Sequence, residues 1–119
     1  MLPMDGLRAS QAGDYWRWLC RRYRRFRVTG RSMLPTLNPG TELLYNPHAY
    51  QQQAPAPGDI VIAQHPQQPD LPIVKRVELI LPDGAIVLRG DNRAESSDSL
   101  AFGPVAPALI LGRVICTFP

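Results

Sequence analysis

The chain has 119 residues, 45% hydrophobic and 19% charged, enough for one domain with a real core but not for two, and too apolar to be disordered throughout. Nowhere does an apolar run reach the roughly 18 residues that a membrane-crossing helix needs. The net charge of +3 is unevenly divided: residues 1–31 carry +6 through eight arginines and residues 32–119 carry −3, so the basic character belongs to the N-terminal segment.

Residues 1–12 read as frayed. From Asp14, a suitable N-cap, the spacing predicts a helix to Phe26, with Tyr15, Trp18, Leu19, Tyr23 and Phe26 on one face and arginines on the other. Residues 1–27 are therefore read as a basic amphipathic segment and 28–119 as the main domain. The aromatic face has three candidate uses: docking on its own domain, contact with an anionic membrane through Tyr15–Phe26, or phosphate binding. Docking or peripheral membrane contact is favoured, and no nucleic-acid partner is expected. No apolar segment precedes a small-residue cleavage site, so no signal peptide is expected.

Gly30-Arg31-Ser32-Met33-Leu34-Pro35-Thr36-Leu37 follows. Gly30 permits an unusual φ, and Pro35 stiffens the turn that holds Ser32. Beyond the Pro39-Gly40 turn, Thr41–Tyr45 is a short strand, and His48 to Pro57 is a polar loop. Pro57-Gly58-Asp59 turns the chain into the β-branched run Ile60–Ala63, fit for a buried strand. His65 to Pro72 reads as a second Pro/Gln loop, and Leu71–Leu81 as a strand carrying Lys75. Pro82-Asp83-Gly84 is a hairpin turn, with Ala85–Arg89 returning antiparallel. The acidic loop Gly90–Asp98 comes next, and segments at Val105–Pro107 and Ile110–Ile115 close the sheet. Thirteen prolines and nine glycines spread along the chain suit an all-β domain of short strands.

A serine hydroxyl is a poor nucleophile until a base takes its proton. His48 and His65 sit in loops with no acidic orienter nearby, which suits surface residues. Lys75 is the sole lysine beside twelve arginines, and only lysine can lose its charge to act as a base. Alternation puts Ile73, Lys75 and Val77 on one face, and burial there would disfavour the ammonium. Cys20 and Cys116 form no disulfide framework, and free thiols are the better reading. With the two histidines they lack metal-ligand spacing, so neither metal nor cofactor is expected.

The serine block, Ile73-Val74-Lys75-Arg76-Val77 and Gly90-Asp91-Asn92-Arg93-Ala94-Glu95-Ser96-Ser97-Asp98-Ser99, in that order, resemble the signal peptidase I family (S26) of serine–lysine proteases from about Val28 onward. The resemblance implies a small β-sheet catalytic domain, of the type shared with the LexA repressor class. It implies Ser32 as nucleophile, Lys75 as general base, Ser96 orienting the lysine amine and Asp98 supporting the site. Leu100 stands where the family has an arginine paired with that aspartate. The oxyanion donor is the Ser32 backbone N–H, with Thr29 nearby, since Gly30 occupies the position where some members add a hydroxyl. The substrate is a precursor protein bound as an extended strand, with Met33 and Leu34 lining its groove.

The family is usually membrane-anchored just before the serine block, whereas the anchor-free layout here resembles the maturation proteases of nickel-type superoxide dismutase. That implies removal of an N-terminal propeptide from that enzyme's precursor, in the cytoplasm or at the membrane periphery. Two alternatives stand beside it: a peripheral signal peptidase acting on secretory precursors, and a LexA-like protein cutting itself at a bond such as Ala12-Gly13.

Overall fold

The computed structural model of the chain describes residues 22–94 and 102–117. Six strands build one antiparallel sheet: β1 Arg24–Arg27, β2 Glu42–Asn46, β3 Ile60–His65, β4 Gln68–Ile80, β5 Ile86–Arg89 and β6 Ile110–Thr117, in the spatial order β1-β2-β6-β3-β4-β5. The domain is all-β, and a 3-10 turn at Pro107–Leu109 precedes β6.

The core divides between the two faces of the sheet, as strand alternation requires. Val28, Met33, Leu37, Leu43, Ile62 and Val74 cluster on one side. Val61, Ala63, Val77, Ile86, Leu88 and Val105 cluster on the other. β3 contributes to both, which explains why Ile60–Ala63 is apolar without alternation: a strand covered on both faces has no polar side. β2 and β3 flank β6, and Gly112 in β6 makes their approach possible. A Cβ there would lie 2.7 Å from the Tyr45 ring and closer still to the Asn46 carbonyl.

The Pro57-Gly58-Asp59 turn is architectural. Gly58 sits at φ 95°, and Gly58 and Asp59 exchange backbone hydrogen bonds with Val77. The Asp59 carboxylate accepts from the Ala56 N–H and, at 2.7 Å, from the Tyr50 hydroxyl. Burial, and then that carboxylate, push the Tyr50 phenol above its ordinary pKa. The hairpin read at Pro82-Asp83-Gly84 is present, with Gly84 at φ 90° and the Asp83 side chain accepting from the Ala85 N–H.

Two expectations need correction. The helix expected through Phe26 does not extend that far: Arg24–Arg27 is a strand paired with β2, Phe26 opposite Leu43. Arg-Arg-Phe-Arg fits period 2 as well as a helical face, and the wholly buried Leu43 and Leu44 supply a partner that decides between them. Most of the expected helix, residues 14–21, lies outside the described residues, as do Ala12-Gly13 and Cys20.

The second correction concerns His65. Pro66 and Gln67 are a two-residue turn joining β3 directly to β4, with His65 opposite Gln68. His65 is buried against Phe102, ring centroids 4.9 Å apart, and its Nδ1 accepts from the Gln67 N–H. Proline and glutamine suggested a loop, yet Pro69 and Pro72 lie where β5 does not pair with β4, on an edge that tolerates a missing donor.

Candidate active site

Gly30, at φ 75°, turns the chain out of the segment after β1 and into the serine block. The turn is closed by backbone hydrogen bonds from Leu34 to Arg31 and from Leu37 to Met33. Met33 is wholly buried in the first core cluster and acts as the turn's anchor. With Met33 held inward, the preceding Ser32 stays half-exposed, and its N–H finds no backbone acceptor among the described residues.

Lys75 sits on β4 opposite Val61, only 4% exposed, on the face it shares with Ile73 and Val77. β5 pairs with β4 only from Arg76 onward, so among the described residues no strand pairs with Leu71 to Lys75 on that side. Against that edge lies a cleft of about 200 Å³, lined by Phe26, Thr29, Ser32, Ile73, Val74 and Lys75, with Leu71 and Pro72 completing it. The structure thus brings Ser32, Thr29 and Lys75, 43 positions from the serine, into one recess with apolar walls.

Met33 does not line this cleft. Its side chain is spent on the core, which corrects the groove-lining role expected for it. Leu34 is half-buried and is not among the residues bounding the recess. Ser96, Asp98 and Leu100 lie outside the described residues. Cys116 carries a free thiol whose pKa burial pushes up, and no group of three or more metal-ligating side chains occurs among the described residues.

Four residues that the sequence reading passed over tie the site together. Arg76 forms a bidentate pair with Asp91, both contacts 2.9 Å, and its third nitrogen donates to the Gly58 carbonyl. The Thr36 hydroxyl donates to the same Asp91 carboxylate. The Arg76 guanidinium, against some desolvation and aided by Thr36, holds the Asp91 carboxyl below the usual carboxylate range. Asn92 donates its backbone N–H to the Ser32 carbonyl and its side-chain amide to that of Arg31. The Lys75 strand and the Ser32 turn are therefore clamped by one short loop. The signal was present in the Arg after Lys75 and in the Asp-Asn after Gly90, but only topology supplies the partners.

Comparison with known proteins adds a family. Residues 20–79 match the model described as signal peptidase, peptidase S26, a span that includes Ser32 and Lys75 but stops short of Gly90. Among curated relatives, the mitochondrial ATP-independent inner membrane protease subunit 1b of Arabidopsis thaliana is 34% identical, the match covering 72% of this chain and 64% of that protein. The mitochondrial inner membrane protease subunit 2 of Danio rerio is 36% identical, covering 73% and 59%. Subunit 1 of Schizosaccharomyces pombe is 33% identical, covering 74% and 68%. The chain thus spans less than two thirds of the first two relatives. Proteins named for an inner membrane overturn the cytoplasmic placement expected from the sequence.

Proposed function

The chain belongs to the signal peptidase family, peptidase S26, and on that premise we propose that it is a serine endopeptidase cutting precursor proteins at a membrane surface, with Ser32 as nucleophile and Lys75 as base. The observation that carries this reading is the meeting of Ser32 with a buried lysine in one cleft. Burial disfavours the ammonium, the condition a lysine base needs.

In the proposed reaction Ser32 Oγ attacks the scissile carbonyl while Lys75 Nζ takes its proton. The Ser32 N–H stabilises the oxyanion, with the Thr29 hydroxyl as the nearest side-chain candidate. The lysine's new proton passes to the leaving amine as the peptide C–N bond breaks, leaving an ester on Ser32. Lys75 then takes a proton from water, the hydroxide attacks the ester carbonyl, and as the ester C–O bond breaks Lys75 returns that proton to Ser32 Oγ, restoring both groups. Ser96 and Asp98 keep their proposed supporting roles. The open edge at Leu71–Lys75 is suited to a substrate added as a strand.

A leader-bearing precursor is the substrate class this reading favours. A nickel superoxide dismutase precursor is a narrower second reading, and none of the relatives above bears that name. The test is intact-mass measurement after incubation with both precursors, using wild type, Ser32→Ala and Lys75→Ala. A precursor trimmed at one bond by wild type alone is the expected result. Trimming that persists in either variant would falsify the dyad, and shortening of the protein itself would favour self-cleavage.

A further inference from the structure

A second recess, of about 350 Å³, lies beside the serine turn and is lined chiefly by Thr36, Arg76, Glu78, Arg89, Asp91 and Arg93. Its walls are mostly charged, whereas Lys75 is the one charged side chain among those lining the cleft that holds Ser32. Two of its three guanidiniums are matched by carboxylates, Arg76 by Asp91 and Arg89 by Glu78. Arg93 is exposed at the rim with no ion pair among the described residues, so the recess carries one positive charge more than it balances.

Its position follows from the sheet. Among the described residues the edge of β4 is open from Leu71 to Lys75 and closes at Arg76, which pairs with Arg89 of β5. An extended chain lying along the open edge cannot continue in line, because β5 already holds the next positions. It must lift over the turn that follows β5, Gly90 to Arg93, and that turn is fastened to Ser32 through Asn92 and to Thr36 through Asp91. A chain leaving the serine in that direction therefore passes across the charged recess.

We propose that this recess is a substrate subsite that takes a carboxylate side chain, with Arg93 as its reading residue. The proposal rests on the peptidase reading above. The paired arginines set its shape and Arg93 supplies the unmatched charge. A guanidinium at a partly wet rim discriminates through charge-assisted hydrogen bonds that a neutral amide makes less well.

The experiment uses fluorescein-labelled decapeptides with alanine at the first and third positions before the central bond. Asp, Asn or Lys is placed in turn at each remaining position. Binding to the Ser32→Ala protein is read by anisotropy, and cleavage by wild type is read separately by mass. At one position, on one side of the bond, the Asp peptide is expected to bind about fivefold tighter than its Asn twin. Adding Arg93→Glu should abolish that preference and favour the Lys peptide, while Arg93→Gln, the milder change, should level Asp and Asn. Equal binding of Asp and Asn at every position, or a preference that survives both Arg93 variants, overturns the subsite. Wild-type cleavage of the Asn peptides without any Asp preference removes the subsite and leaves the peptidase reading standing. An Arg93-dependent Asp preference without cleavage supports the subsite and removes the reaction.

Discussion

Asn92 holds Ser32 by its backbone, 2.8 Å from N–H to carbonyl, and reaches Arg31 with its side-chain amide at 3.0 Å. A residue 60 positions along the chain thus fixes the peptide units on either side of the Ser32 Cα. Asn92→Ala removes the side-chain bond and keeps the backbone one, so it should cost at most about 1 kcal/mol of stability. Activity should fall further, about tenfold, because a loosened nucleophile loses alignment. Asn92→Asp lacks the donor and should match alanine; a full-activity aspartate variant, read as kcat/KM with a thermal melt, would sink this role.

Lys75 cannot be replaced by the other long cation. Lys75→Arg keeps the charge but cannot shed its proton, so hydrolysis should drop at least about a thousandfold, as in Lys75→Ala. Initial rates on a cleaved peptide decide it. Measurable activity in the arginine variant would show that the residue acts by charge alone.

The Arg76–Asp91 pair should matter to stability in a pH-dependent way. The folded-state pKa of Asp91 is depressed, so its contribution is present above the unfolded carboxylate value of about 4 and is lost as pH falls through the folded value. Asp91→Asn should cost about 1–2 kcal/mol at pH 7, toward the low end because Arg76 is partly exposed. Denaturation midpoints of variant and wild type should converge as pH falls through the depressed folded value of Asp91.

Gly112→Ala should destabilise by about 3 kcal/mol without altering the m-value, because the added methyl meets the Asn46 carbonyl and the Tyr45 ring, and backbone cannot yield as a flexible side chain does. Urea titration checks this. A neutral result would mean that β2 and β6 are less closely apposed than described.

Cys116 should alkylate slowly at neutral pH. Burial raises its thiol pKa, which lowers the thiolate fraction that reacts. In a Cys20→Ser background, iodoacetamide labelling should accelerate only as pH rises beyond the ordinary thiol value of about 8.5. Fast labelling at pH 7 would contradict the half-buried placement.

Much of the sheet was legible because its punctuation is chemical. Pro-Asp-Gly and Pro-Gly-Asp turns, and a β-branched run, specify strand ends from local residues alone. β1 was not legible, since Arg24–Arg27 satisfies both periods and the choice belongs to Leu43 and Leu44 across the sheet. Nor was the burial of His65, which depends on Phe102 arriving from a later loop. At the site, Ser32 and Lys75 stood out by residue type. The inward turn of Met33 did not, because one buried anchor in a turn leaves no periodic trace.

β6 lies between β2 and β3, joining two groups of strands that otherwise share no sheet hydrogen bonds. The recess at Ser32 draws Phe26 and Thr29 from one group and Ile73 to Lys75 from the other. The last described strand thus joins, within the sheet, the two walls of a recess to which it contributes no lining residue.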